Sequence, residues 1–363
     1  MVARQSERPD HVSPHATLWR KTPLIESQRL SRAAGCRILL KLENLQPAGS
    51  FKSRGIGNLI LSVIRSRQPS PSNDTALSLH FYSSSGGNAG MAAVTAARST
   101  GYPCTVVVPR TTEDAMVSKL KEAGASEVIV HGDSWFYADK HLREVIIPEA
   151  NARGEEGVYV PPFDDERIWD GAATMVEEIQ EQIATMARDA GSPVPVPPKG
   201  IVCSVGGGGL FCGIVRGLDR VGWGENQVRV AALETEGADS LAVSLEKGEL
   251  TTLPAITSVA TSLGAVRVAE QAFTYASNSK RCTSVVLSDA AACTACLRFA
   301  DDERILVEPS CGVSLALAYD AQKLRNVFPG LKPDDTVVIV VCGGSGVSLG
   351  KLEGWKREYG LKE

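Results

Sequence analysis

The chain is poor in histidine, with five in 363 residues (His11, His15, His80, His131 and His141), and none lies in a glycine-rich motif. That scarcity disfavours a mechanism built on a catalytic imidazole. There is no strong charge excess either. The formal net charge is -4, so no broad basic field draws the protein to nucleic acid or to an anionic membrane. No apolar run approaches the roughly 20 residues that span a bilayer. The polar stretch from Met1 to His15 lacks the apolar core of a secretory signal and reads as an extension ahead of the fold. Internal repeats are absent. Nine cysteines occur, and an odd count in a long, core-rich chain fits reduced thiols in the cytosol. Cys293 and Cys296 form a C-x-x-C, but no second pair at zinc-finger spacing and no nearby histidine accompany them. Packing on a helix is the expectation.

A 43% apolar fraction suffices for a buried core, and the length suggests two domains. Short, continuous apolar runs recur: Ile38–Leu42, Leu79–Ser83, Thr105–Val108, Glu127–Val130, Ile201–Val205, Val228–Leu233 and Thr336–Val341. Such runs predict strands buried on both faces, hence parallel sheets flanked by helices. Helices are expected between them, over Gly90–Ser99, Met116–Glu122, Ala172–Arg188, Leu210–Leu218 and Ser314–Leu324. This β-then-α rhythm is an α/β signature. Two stretches read as connectors: Arg67–Thr75, rich in Ser and Pro, and Gly191–Gly200, with four prolines.

Three glycine-rich segments follow predicted strands. The tetraglycine Gly206-Gly207-Gly208-Gly209 lets backbone N–H groups crowd around one anion, with a helix N-terminus behind them. A P-loop would end in Gly-Lys-Ser/Thr, yet Leu210-Phe211-Cys212 follows. A G-x-G-x-x-G fingerprint fails in both frames, because the sixth positions are Phe211 and Cys212. A nicotinamide-dependent oxidoreductase is thereby disfavoured. What remains is a site for a single phosphate, or a tight strand–helix turn with no ligand. The second segment, Ser84-Ser85-Gly86-Gly87-Asn88, suits a carboxylate, and the Asn88 amide can donate to a phenolate-like oxygen. The third is Cys342-Gly343-Gly344-Ser345-Gly346. A fourth signal is Lys52, in Pro47-Ala48-Gly49-Ser50-Phe51-Lys52, where a turn should end and a helix begin. An amine at such a mouth can form an imine with an aldehyde cofactor.

Together these residues resemble the fold-type II pyridoxal-phosphate enzymes, and among them the eukaryotic L-serine dehydratases (L-serine/L-threonine ammonia-lyases). The match runs from about Thr22 to about Leu349. It includes Gln46–Lys52, Ser85–Met91, Tyr159–Asp165, Ser204–Leu210, Glu234-Thr235, Ile256–Ala260, Leu306–Pro309 and Cys342–Ser345. The resemblance implies a tryptophan synthase β-subunit-like α/β fold of two domains, with the cofactor in the cleft between them. An extension (1–17) precedes a large domain (18–45 and 156–363), into which a small domain (46–155) is inserted. It implies that Lys52 holds pyridoxal 5'-phosphate as an imine and then acts as the base, that Phe51 packs on the ring and that Asn88 binds the ring oxygen. Gly206, Gly207, Gly208, Gly209 and Leu210 would hold the phosphate, and Cys342 would contact the pyridine nitrogen. Ser85, Gly87, Asn88 and Ala89 would take the substrate carboxylate. Gly206, Glu234, Ala238, Ser240, Leu263 and Ala265 match a monovalent-cation site, with K+ expected.

The implied reaction is β-elimination of L-serine to pyruvate and ammonia, and of L-threonine to 2-oxobutyrate and ammonia. A small-molecule amino-acid substrate, a cytoplasmic homodimer and no nucleic-acid or membrane partner complete the expectation. No regulatory module is expected after the last motif. Serine racemase, threonine synthase or a catalytically weak cofactor-binding protein are the alternatives. The match departs at Gly86, where racemases carry a second serine, and at Ala172 and Gly346, where polar residues are common.

Overall fold

The computed structural model describes residues 16–67, 78–191, 194–278 and 280–359. The proposed extension (1–17) and the connector Arg67–Thr75 therefore lie almost wholly outside the described residues, as do two residues of the proline-rich connector.

In chain order, β1 (Leu24–Glu26), α1 (Gln28–Ala34) and β2 (Arg37–Leu42) lead to α2 (Lys52–Ser66), β3 (Ser78–Ser83) and α3 (Asn88–Ser99). Then come β4 (Cys104–Val108), α4 (Asp114–Ala123), β5 (Glu127–Val130), α5 (Trp135–His141), a π-helical turn (Leu142–Ile146), α6 (Ile147–Ala152) and β6 (Glu155–Tyr159). The long α7 (Glu166–Asp189) precedes β7 (Gly200–Ser204), α8 (Gly209–Arg220), β8 (Arg229–Thr235) and α9 (Ser240–Lys247). The chain ends with α10 (Glu270–Asn278), β9 (Cys282–Leu287), α11 (Asp289–Glu303), α12 (Pro309–Ala318), α13 (Ala321–Val327), β10 (Thr336–Val341) and α14 (Leu349–Tyr359).

Two compact units result: Met1–Arg20 with Lys52–Gly171, and Lys21–Phe51 with Ala172–Glu363. The first holds a four-stranded sheet ordered β5-β4-β3-β6, parallel throughout. On one side of it Tyr82, Val107, Ala138, Leu142 and Ala150 form a buried cluster, flanked by Ile129, Ile146, Ile147 and Tyr159. The second holds a six-stranded sheet ordered β1-β2-β10-β7-β8-β9. Its strands are parallel except β1, which pairs antiparallel with β2.

The apolar runs became strands where burial on both faces demands them. Val337 to Val341 are all fully buried, as a central parallel strand requires. The second unit also buries a charge. Lys41 of β2 is fully enclosed, and its Nζ donates to Glu178 Oε2 (2.6 Å), Thr22 O (2.8 Å) and Gln182 Oε1 (2.9 Å). Between α7 and α8 the backbones approach closely at Gly217, where a Cβ would lie 2.7 Å from Val176 Cβ.

The helix expected over Ser314–Leu324 is instead two. α12 ends at Ala318, and Asp320 caps α13 by accepting from Lys323 N at 3.0 Å. An aspartate that satisfies an orphan N–H starts a new helix and breaks the periodic run. Cys293 and Cys296 lie buried on α11, as expected, and the nine cysteines are unlinked.

Candidate functional site

In the first unit, Lys52 is the first residue of α2. Its Nζ donates to Pro162 O at 2.6 Å. The carbonyl comes from the segment that follows β6, 110 residues further along the chain. The amine is therefore aimed by a backbone oxygen that no side-chain pattern advertises.

The segment Ser84–Asn88 links β3 to α3 at the C-terminal end of a parallel sheet, where α/β proteins place their ligand loops. Gly87 is the helix N-cap and lacks a side-chain cap. Its own N–H donates to Ser85 Oγ at 3.3 Å. Asn88 and Ala89 are buried in the first turn, whereas Ser85, Gly86 and Gly87 are half-buried. The first turn of α3 carries no acidic residue, so the helix dipole and its orphan N–H groups favour an anion such as a carboxylate. A Cβ on Gly86 would lie 2.8 Å from Thr112 Cγ2 and 2.9 Å from its Oγ1. Thr112 thus occupies the space that a side chain at 86 would need.

In the second unit, the tetraglycine joins β7 to the twelve-residue α8. Gly208 is the N-cap at φ +89°, in the left-handed region that disfavours a Cβ. A Cβ there would also lie 2.5 Å from Ala272 Cβ and 3.1 Å from Val268 Cγ2. Gly206 and Gly207 stay half-buried, while Gly208, Gly209 and Leu210 are buried. The first turn of α8 again has no acidic residue. These residues fit a phosphate group, bound by backbone N–H at a helix N-terminus.

Cys342 follows β10 and is buried. Its Sγ lies 3.5 Å from Ser204 Oγ at the end of β7. A hydrogen bond with Cys311 of α12, assisted by Ser204, holds the Cys342 thiol below its ordinary pKa despite burial. The Cys342 carbonyl accepts from Phe51 N (3.2 Å), and Gly344 N donates to Gly49 O (3.0 Å). The third glycine loop therefore holds the 49–51 segment that leads into Lys52. Beneath that loop lies the buried Glu308, whose Oε2 accepts from Gly346 N at 3.0 Å. A Cβ on Gly346 would stand 2.9 Å from that oxygen. The departure at Gly346 thus makes room for the Glu308 carboxylate.

The positions matched to a cation site gather at the C-terminal ends of β7 and β8. Gly206 abuts Leu263, since a Cβ there would lie 2.9 Å from Leu263 Cα. Ala265 N donates to Leu263 O at 2.7 Å. Glu234 is fully buried, and its two oxygens accept from Leu241 N (2.9 Å) and Ala242 N (2.8 Å) in the first turn of α9, which Ser240 opens. Ala238 N donates to Thr235 O at 2.9 Å. Burial pushes the Glu234 carboxyl up to about 8, with the two backbone N–H groups opposing the rise. Among the described residues no group of three or more His, Cys, Asp or Glu side chains could hold a metal ion. Likewise, no helix among them is long and apolar enough to cross a membrane.

Sequence reasoning missed the Pro162 carbonyl, Ser204, Cys311 and Glu308. Only the motifs Tyr159–Asp165, Ser204–Leu210 and Leu306–Pro309 hinted at three of them, and they did so without a role.

Comparison with known proteins adds four findings. The family model described as pyridoxal-phosphate dependent enzyme matches residues 16–343. An L-serine dehydratase of Saccharomyces cerevisiae is 46% identical over 331 residues, covering 91% of this chain and 94% of that protein. The L-serine dehydratase/L-threonine deaminase of Homo sapiens is 41% identical over 345 residues, covering 94% and 95% respectively. The crystal structure of a fungal L-serine ammonia-lyase from Rhizomucor miehei superposes with a TM-score of 0.81 at 32% identity, over 95% of this chain and 100% of that one.

Proposed function

The chain belongs to the family of pyridoxal-phosphate dependent enzymes, and from that premise we propose that it deaminates L-serine to pyruvate and L-threonine to 2-oxobutyrate, releasing ammonia. The carrying observation is the 46% identity to an L-serine dehydratase across nine-tenths of both chains. When bound, pyridoxal phosphate supplies an electron-withdrawing ring that acidifies the α C–H of an amino acid joined to it.

The chain's own residues do the rest. Lys52, whose Nζ donates to Pro162 O, would hold the cofactor covalently and would supply the base for the α-carbon proton. Gly206, Gly207, Gly208, Gly209 and Leu210 would hold the phosphate, Phe51 would pack on the ring, and Asn88 would donate to the ring oxygen. Cys342, whose sulfur lies 3.5 Å from Ser204 Oγ, would contact the ring nitrogen in place of a carboxylate. Ser85, Gly87, Asn88 and Ala89 orient the substrate carboxylate. K+ would be held by oxygens at Gly206, Ala238, Ser240, Leu263 and Ala265, with the buried Glu234 bracing the site. The division into a large domain (18–45 with 156–363) and an inserted small domain (46–155) belongs to this reading, as do a homodimer and a cytoplasmic location.

A serine at position 86, the racemase pattern, would need the space that Thr112 fills. That favours a lyase over a racemase. The test is borohydride reduction of the purified, cofactor-loaded protein followed by peptide mass spectrometry, beside a pyruvate assay with serine. Pyridoxyl label on Lys52 and pyruvate formation are expected. Label elsewhere or none, or no keto acid from either substrate, overturns the reading.

A further inference from the structure

Two neighbouring strands of the first unit end side by side. In their parallel register Tyr82 of β3 faces Tyr159 of β6, and Val160 N donates to Tyr82 O at 2.7 Å. Beyond β3 the chain enters Ser84–Asn88. Beyond β6 it runs three residues to Pro162, whose carbonyl accepts from Lys52. One buried carboxylate reaches both exits. Asp139 of α5, 4% exposed, accepts at Oδ1 from Ser84 Oγ (2.7 Å) and from Tyr159 OH (2.6 Å). Its Oδ2 accepts from Arg143 Nε at 2.8 Å. Three donors on one carboxylate make a charge-assisted network in a low-dielectric setting, where such bonds are short and strong.

We infer that Asp139 is a positioning residue that sets both the loop Ser84–Asn88 and the segment 160–162 on which the Lys52 amine rests. The loop takes the substrate carboxylate only if the reading above holds, and to that extent the inference rests on it. A shared anchor couples the two. A shift of Ser84 moves the backbone N–H groups that follow it, and a shift of Tyr159 moves the carbonyl that aims the lysine. Tyr159 stays a donor across the working range, because burial, and then Asp139 itself, push its phenol pKa up.

Asp139→Asn keeps the volume but removes the charge: with its oxygen toward Ser84 and Tyr159, its NH2 meets the Arg143 donor, and the two bonds that remain are no longer charge-assisted. In the cofactor-free chain, hydrogen exchange should accelerate about tenfold at amides of 84–90 and 160–163, the loss expected from one charge-assisted bond, while peptides of the second unit stay unchanged. In the loaded enzyme, KM for serine should rise about tenfold through the loop, and kcat should fall as well, through the displaced Lys52 amine. Ser84→Ala should raise KM similarly, and the double variant Asp139→Asn/Ser84→Ala should be no worse than either single one. A purely structural role would lower the melting temperature and leave KM unmoved, with additive effects. Should Asp139→Asn not fold, Ser84→Ala and Tyr159→Phe each remove one donor without stranding a charge, and the same exchange measurement applies. Unchanged exchange at both segments overturns the inference, as does an unmoved KM in an active enzyme. If the unaltered chain makes no keto acid, the functional reading fails, and the exchange result still decides the role of Asp139.

Discussion

Replacing Gly208 by alanine tests the tetraglycine as a phosphate cradle. At φ +89° a side chain costs about 1–2 kcal/mol from the clash of its Cβ with backbone. The new methyl group would also stand 2.5 Å from Ala272 Cβ and 3.1 Å from Val268 Cγ2. Crowding of that kind costs about 1–3 kcal/mol more. Gly222 supplies the control, since it has φ +71° and nothing within 4 Å of an added Cβ. Gly222→Ala should therefore show the backbone cost alone. Urea unfolding of the cofactor-free proteins should place Gly208→Ala about 1–3 kcal/mol below Gly222→Ala. Pyridoxal phosphate at 100 times its Kd should then add about 2.7 kcal/mol to the unaltered protein, and clearly less to Gly208→Ala at the same concentration. Equal stability of the two variants would refute the packing argument. A full cofactor increment in a destabilised Gly208→Ala would refute the assignment of the phosphate to this loop.

Lys52→Ala should lose cofactor labelling and lower pyruvate formation by more than about 100-fold, the low end for removing a general base; a smaller loss in a pyruvate assay counts against the lysine. Glu178→Ala removes the carboxylate 2.6 Å from the enclosed Lys41 ammonium and should cost about 3–5 kcal/mol in urea, whereas the paired change Lys41→Met/Glu178→Leu should be nearly neutral. For pH, burial depresses the His80 pKa below 6.5, although Glu155 at 2.9 Å opposes the shift. The unfolded chain then binds more protons than the folded one just below pH 6.5, so stability is lost as pH falls through that value. His80→Gln should flatten that acid-side loss in melting curves between pH 7.5 and 5.5, and parallel curves would refute it.

Much of this protein was legible from residue order, because the relevant physics is local. A run such as Val337–Val341 has no polar group to show to solvent, so it becomes a buried strand wherever it lies. The tetraglycine can turn tightly into a helix, and the turn before Lys52 ends where α2 begins. The short β1 and the strands β6 and β9 escaped notice. β6 reads Glu-Glu-Gly-Val-Tyr, which has no apolar run, and its place is set by pairing with β3. The break at Asp320 escaped too, since one capping hydrogen bond outweighs a continuous apolar period.

What tertiary structure alone decided are contacts made by groups that every residue carries, or by residues far apart in the chain. The Pro162 carbonyl meets Lys52 across 110 positions, and Asp139 meets Ser84 across 55. A carbonyl oxygen is the same in every residue, and a buried aspartate looks like a surface one until its donors surround it. Composition and spacing therefore determined the chemistry that the chain can hold. The folded backbone determined where its amine points.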